Sequence, residues 1–269
     1  MLLPLTALLL AGAVSPDAAG LDLAPAPAAT EAAPVTAARP VYRLRPALDA
    51  SVMGVSALAI TVPTLLASDL IHPRCPCDPS EINGFDRGAV GNRSAFADAA
   101  SDVTAVAAIL APPLLDFLEV GAGEAFYTDT VVFAEVLLVN GALVEIAKYA
   151  VQRPLPRTYA GDPSLISEPG GYRSFYSGHT STVFAALTAS AMTARLRHGE
   201  RWWPWAIAGI VGSSVAVERV AGGRHFPTDV LVGALAGTAT GVLVPWLHAE
   251  RSVVTIVPVT RGVGVALRF

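Results

Sequence analysis

The stretch ERVAGGRHFPTDV, Glu218 to Val230, sets Arg219, His225 and Asp229 at spacings of six and four between two apolar runs. Pro227 suits the first position of a helix, so His225 falls just before a helix N-terminus. Asp229 is four residues on, within reach of the ring. A carboxylate bonded to one ring nitrogen fixes the tautomer and leaves the other nitrogen as a nucleophile. Arg219 ends the preceding segment beside a flexible AGG and can fold back to grip an oxyanion with its planar fork.

Two more clusters point the same way. In SFYSGHTSTVF, Ser177 is a good N-cap, Gly178 allows close approach of a backbone N–H, and His179 sits in the first turn. Unpaired N–H groups and the helix dipole make such an end an anion site. In AKYAVQRPLPRTY, three of the chain's 18 Lys and Arg residues, Lys148, Arg153 and Arg157, fall within ten positions. Pro154 and Pro156 hold Arg153 and Leu155 extended, which points Arg153, Leu155 and Arg157 the same way. Arg153 leaves the helix end more directly, so it is the expected phosphate contact, with Arg157 as the alternative. Singly, each cluster has an ordinary explanation: a His at a helix start is commonly a cap, and basic residues at segment ends anchor helices at a membrane interface.

The elements that must position these residues are apolar and helical. From residue 50, six segments rich in Ala, Leu and Val read as helices, starting with SVMGVSALAITVPTLLAS and ending with FPTDVLVGALAGTATGVLVPWL. The expected fold is all-α, a bundle of about six apolar transmembrane helices over residues 50–249, followed by a β-like tail over 250–269 with one short hairpin. Residues 1–49 combine a signal-like start, MLLPLTALLLAGAV, with a disordered linker rich in Ala and Pro. Asp98, Asp102, Asp116 and Glu119 in the second segment count against spanning, at about 2.5–3.5 kcal/mol for a charge at a helix centre.

Composition agrees. Of 269 residues, 53% are hydrophobic and 15% charged, against about 25% charged in soluble domains. Mean hydropathy is +0.52. A net charge of −4 gives no sign of a nucleic-acid partner. The basic link RLRHGER and the basic residues Arg39, Arg43 and Arg45 fall on one side if all six segments span, which by the positive-inside rule is cytoplasmic. The His-bearing loops then face the periplasm of a bacterial-type inner membrane. A cleaved leader would place the N-terminus on the other side. It would suit a soluble periplasmic protein instead. Cys75 and Cys77, one residue apart, are an awkward spacing for a disulfide and lack the further ligands of a metal site; a structural turn with paired or free thiols is expected.

The order of the three clusters resembles the phosphatidic acid phosphatase type 2/haloperoxidase superfamily over roughly residues 145–245. Lys148, Ser177-Gly178-His179 and Arg219, His225, Asp229 match its motifs. The family's Arg-Pro slot holds Leu155-Pro156 here, Tyr176 stands for a Pro, and Glu218 stands for a Ser. The resemblance implies a phosphatase acting on a lipid phosphate or polyprenyl diphosphate. His225 would form a phosphohistidine, Asp229 would orient it, and His179 would protonate the leaving oxygen. Lys148, Arg153 or Arg157, Ser177, the Gly178 N–H and Arg219 would bind phosphate, with no metal or cofactor. The same cage could hold vanadate in a vanadate-dependent haloperoxidase, and an exported soluble acid phosphatase of the same fold is a further alternative.

Overall fold

The computed structural model describes residues 38–250 and the backbone of 253–259 and 262–268. The signal-like start and the linker up to residue 37 lie outside the described residues.

Among the described residues eight α-helices follow in order: α1 (Pro46–Leu65), α2 (Ala67–Leu70), α3 (Ala95–Val120), α4 (Glu124–Val151), α5 (Pro156–Tyr159), α6 (Gly178–His198), α7 (Trp203–Ala221) and α8 (Pro227–His248). Strands β1 (Val253–Val259) and β2 (Gly262–Arg268) run antiparallel, Val253 opposite Arg268. The Cys75–Cys77 pair forms a disulfide despite its spacing.

Six of the helices have at least 19 residues. The expectation that all six span is corrected: among the described residues, four (α1, α3, the stretch Glu124–Tyr159 that begins with α4, and α8) are long and apolar enough to cross a membrane. The physical reason lies in α6, the centre of the bundle, packed against α3, α4, α7 and α8. A helix surrounded by protein need not be greasy all round. Its wall is small and partly polar: Ser181, Val183, Ala185, Ala186 and Ala189 are buried. The outer helices carry the grease. Leu58, Val62 and Leu65 on α1, and Val106, Leu110, Leu114 and Leu118 on α3, are exposed.

Close approach of α6 and α8 rests on glycines four apart. A Cβ at Gly237 would stand 2.1 Å from the Ser181 carbonyl oxygen, and one at Gly241 2.4 Å from that of Ala185. Small residues at this spacing let two helix backbones touch. The two helices run parallel. Their starts meet where Ser177 N–H donates to the Asp229 carbonyl (3.1 Å).

The acidic residues that counted against spanning are paired. Asp116 and Asp129 both take Arg197 of α6, Glu119 lies 2.7 Å from His198, and Asp98 holds Arg219 and Arg224. Buried charges that find partners avoid most of the penalty of an isolated one. The basic segments also gather: Tyr42 bonds Thr193 near the end of α6, and Arg43 N–H donates to His248 at the end of α8. The chemistry-bearing motifs lie at the opposite end.

Candidate active site

Two helix starts, one helix end and the loops between them meet here. Ser177 caps α6, its Oγ accepting from Thr180 N–H (3.4 Å) and sharing a hydrogen bond with the Thr180 hydroxyl (3.0 Å). It is fully buried. Pro227 opens α8 behind Phe226. Between α7 and α8 the chain turns sharply, and Arg224 and His225 N–H both donate to the Arg219 carbonyl. Gly223 makes the turn at φ +67, where a Cβ would lie 1.9 Å from the Asn92 carbonyl oxygen. A residue with a side chain cannot take that place without moving the neighbouring loop.

His225 is 4% exposed. Its Nδ1 lies 2.7 Å from the Ser174 carbonyl oxygen. A carbonyl can only accept, so Nδ1 carries the proton and Nε2 keeps its lone pair. The expectation that Asp229 orients this ring directly is corrected: its Oδ2 is 3.9 Å from Nδ1. Asp229 instead accepts from Ser174 Oγ (2.5 Å), Phe226 N–H (2.9 Å) and Arg153 Nη1 (2.6 Å). It acts one step back, holding the Ser174 segment whose carbonyl holds the ring.

Arg153 also differs from expectation. Besides Asp229 it donates to Thr228 Oγ1 (2.8 Å) and Asp86 Oδ2 (2.8 Å), and its guanidinium stacks 4.0 Å from the Phe226 ring centroid. Those contacts place it behind α8, between two carboxylates that are wholly buried. Burial alone would raise the Asp86 carboxyl, but hydrogen bonds from Thr228, Arg153 and Asn83 outweigh it and hold the group below its ordinary range. Arg157 is looser. Its Nε lies 3.5 Å from Asp162 and has no hydrogen-bond acceptor among the described residues, though it is buried. The Nε of Arg219 and that of Arg173 are likewise buried without an acceptor among the described residues.

The surroundings are strongly cationic. Lys148 Nζ lies 3.8 Å from Glu145, which also pairs with Arg173. The space where a Cβ of residue 178 would stand is 3.3 Å from Lys148 Nζ, so Gly178 leaves room for that ammonium. Burial, then the charges of Arg219 and Lys148, hold His225 well below its ordinary value. Burial, then Arg219, push His179 down to about 4 against the pull of Asp102. Both rings are therefore neutral near pH 7. Arg219 Nη1 donates to Asp98 Oδ1 (3.0 Å), Ser101 Oγ (3.1 Å) and Asp102 Oδ1 (3.3 Å), while Asp102 Oδ1 is 2.8 Å from His179 Nε2. One carboxylate, on a side chain 59% exposed, thus bridges a histidine and an arginine as a bound anion would.

Asp86, Ser174, Asp98 and Asp102 are the site residues that sequence reasoning missed. For Asp98 and Asp102 a signal existed, two carboxylates four apart in a segment otherwise fit for lipid. For Asp86 and Ser174 there is none.

Residues 129–252, a little under half of the chain, match the model of the PAP2 superfamily. The lipid A 1-phosphatase of Porphyromonas gingivalis is 34% identical over 113 residues, 41% of this chain and 22% of that protein. The chain thus spans about a fifth of that relative's length. Two solved structures are similar. Aquifex aeolicus LpxE is 28% identical, covering 59% of this chain and 90% of that one, with a TM-score of 0.42. A transmembrane PAP2-type phosphatidylglycerolphosphate phosphatase from Bacillus subtilis is 21% identical, covering 75% and 94%, with a TM-score of 0.46. Asp86, Asp98 and Asp102 lie before the family-matched residues.

Proposed function

We propose that this chain is a membrane phosphatase that hydrolyses the phosphate ester of a lipid, with His225 as nucleophile. The observation that carries the reading is the tautomer of His225, whose Nδ1–H is tied to the Ser174 carbonyl so that Nε2 keeps its lone pair amid unsatisfied cationic donors. The match to the PAP2 superfamily and the exposed apolar faces of α1 and α3 support it.

Substrate phosphate displaces the Asp102 carboxylate and is gripped by Arg219, Lys148, Arg157 and the Gly178 N–H. Ser177 serves that N–H by capping α6. Nε2 of His225 attacks phosphorus as the ester P–O bond breaks, and the leaving oxygen takes a proton from His179. That proton arrives with the substrate: a phosphate monoester has its second pKa near ~6, so its monoanion can deliver one as it binds. The doubly charged phosphoryl group then favours imidazolium at His179. A water next gives a proton to His179 and attacks phosphorus, the N–P bond breaks, and inorganic phosphate leaves. Asp229, Arg153 and Asp86 form the support behind the nucleophile. Every cation in this scheme is a side chain, so the chemistry calls for no metal. By the positive-inside rule, the basic helix ends opposite the site favour a periplasmic face for it.

The test is phosphate release from mixed micelles of phosphatidate, phosphatidylglycerophosphate, a lipid A phosphate or undecaprenyl diphosphate, with a soluble monoester as control. Hydrolysis of at least one lipid, lost in His225→Ala, supports the reading. Hydrolysis of the soluble ester alone, or halide oxidation with added vanadate and no hydrolysis, refutes it.

A further inference from the structure

A second cluster of ionisable groups lies at the other end of the bundle. Asp49 near the start of α1, Glu135 in α4 and His248 at the end of α8 are 4%, 5% and 8% exposed. His248 is 19 positions beyond Asp229 on one helix, about 28 Å at 1.5 Å per residue, so the cluster is separate from the phosphate site.

His248 Nδ1 is 2.9 Å from the Val244 carbonyl oxygen, one turn back. A carbonyl only accepts, so Nδ1 carries the proton and Nε2 presents a lone pair. That lone pair faces two carboxylate oxygens, Asp49 Oδ1 at 3.3 Å and Glu135 Oε2 at 3.5 Å. Glu135 Oε2 is buried and has no hydrogen-bond partner among the described residues. Three lone-pair donors converge, and such a meeting repels itself unless a cation stands between them.

We infer that Asp49, Glu135 and His248 bind one divalent metal ion, zinc by their donor set, as a structural clip. A tetrahedral site with bonds of about 2.0–2.2 Å has ligand-to-ligand edges of about 3.3–3.5 Å. The two edges from His248 Nε2 have those lengths. One imidazole and two carboxylates suit zinc and leave a fourth position for water. The supporting contacts are also those of a metal site: the histidine donates its other N–H to a carbonyl, and Asp49 Oδ2 accepts Arg45 N–H at 2.6 Å. The clip has a task. Asp49 and Ser56 are the buried residues of α1, whose large apolar side chains face outward. A metal shared with α4 and α8 fastens a helix that little else buries.

The test uses the full chain purified in detergent, stripped with chelator and reloaded with Zn²⁺ or Co²⁺. About one zinc per chain is expected after dialysis, with the strong visible absorption of tetrahedral cobalt in the Co²⁺ form. At a hundredfold excess over Kd, zinc raises the melting temperature by about 5 °C or more. Glu135→Gln and His248→Gln abolish that rise, while His225→Ala keeps it. Stripped and loaded enzyme turn over at the same rate below both melting points. Substoichiometric zinc with no thermal response in the wild-type chain overturns the inference and leaves a shared proton as the cation. An unchanged response in both cluster variants also overturns it, because the zinc then sits elsewhere.

Discussion

Replacing either arginine of the QRPLPR segment by alanine should give opposite results. Arg157 has a buried Nε–H with no acceptor among the described residues and a loose 3.5 Å pair with Asp162, so on the proposed reading its removal takes a donor from the phosphate and leaves the fold nearly intact. One hydrogen bond to a charged group is worth about 1.5–3 kcal/mol, so kcat/KM for Arg157→Ala should fall about 10- to 150-fold. Arg153 stands between Asp86 and Asp229, both carboxylates fully buried, at 2.8 and 2.6 Å. Removing one partner of a buried pair costs about 3–5 kcal/mol, because a buried charge is left uncompensated. At about 2–4 °C per kcal/mol for a chain of this size, Arg153→Ala should melt some 6–20 °C lower. The assay is paired: steady-state kinetics on the best lipid substrate, and thermal unfolding of the same preparations. If Arg153→Ala kept its melting temperature but lost a hundredfold in kcat/KM while Arg157→Ala kept wild-type kinetics, the assignment of the two arginines would be refuted.

Other expectations follow from the same geometry. His225→Ala should abolish turnover and the acid-labile phosphoenzyme trapped by quenching with labelled substrate; normal turnover by folded variant removes His225 as nucleophile. His179 and His225 have folded pKa values below the unfolded value of about 6.5, so the unfolded chain binds more protons in that interval. Their contribution is present above about pH 6.5 and is lost as pH falls toward 4, so melting temperature should drop over that range, and less so in a His179→Gln variant. Gly237→Ala puts a Cβ 2.1 Å from the Ser181 carbonyl oxygen and should cost about 1–3 kcal/mol, measured as a lower melting temperature. With Cys75 and Cys77 bridged, a cysteine placed at the exposed Glu168 should react with an impermeant thiol reagent in intact cells; labelling only after lysis would invert the topology.

Much of the site was legible along the chain because its signals are local. Ser177 as a cap, Pro227 at the first helical position and the glycine turn before His225 each depend on residues within one helical turn, and short-range backbone sterics and hydrogen bonding decide them. The spacing of Lys148, His179, Arg219 and His225 on apolar segments was enough to raise the expectation of phosphate chemistry. What the sequence could not decide was which donor meets which acceptor. Asp229 is four residues from His225, yet the ring took the Ser174 carbonyl, and Asp229 took Arg153 from 76 positions away. Asp86 reaches Thr228 across 142 positions, and His248 meets Asp49 across 199. No periodicity encodes such pairs, because they exist only once α6 and α8 have packed through their glycines and carried the loop ends together. The same packing explains why α6, read along the chain as one of six spans, is too polar to be among the four candidate spans although it lies at the centre of the bundle: its surroundings are other helices, and close contact rather than grease holds it.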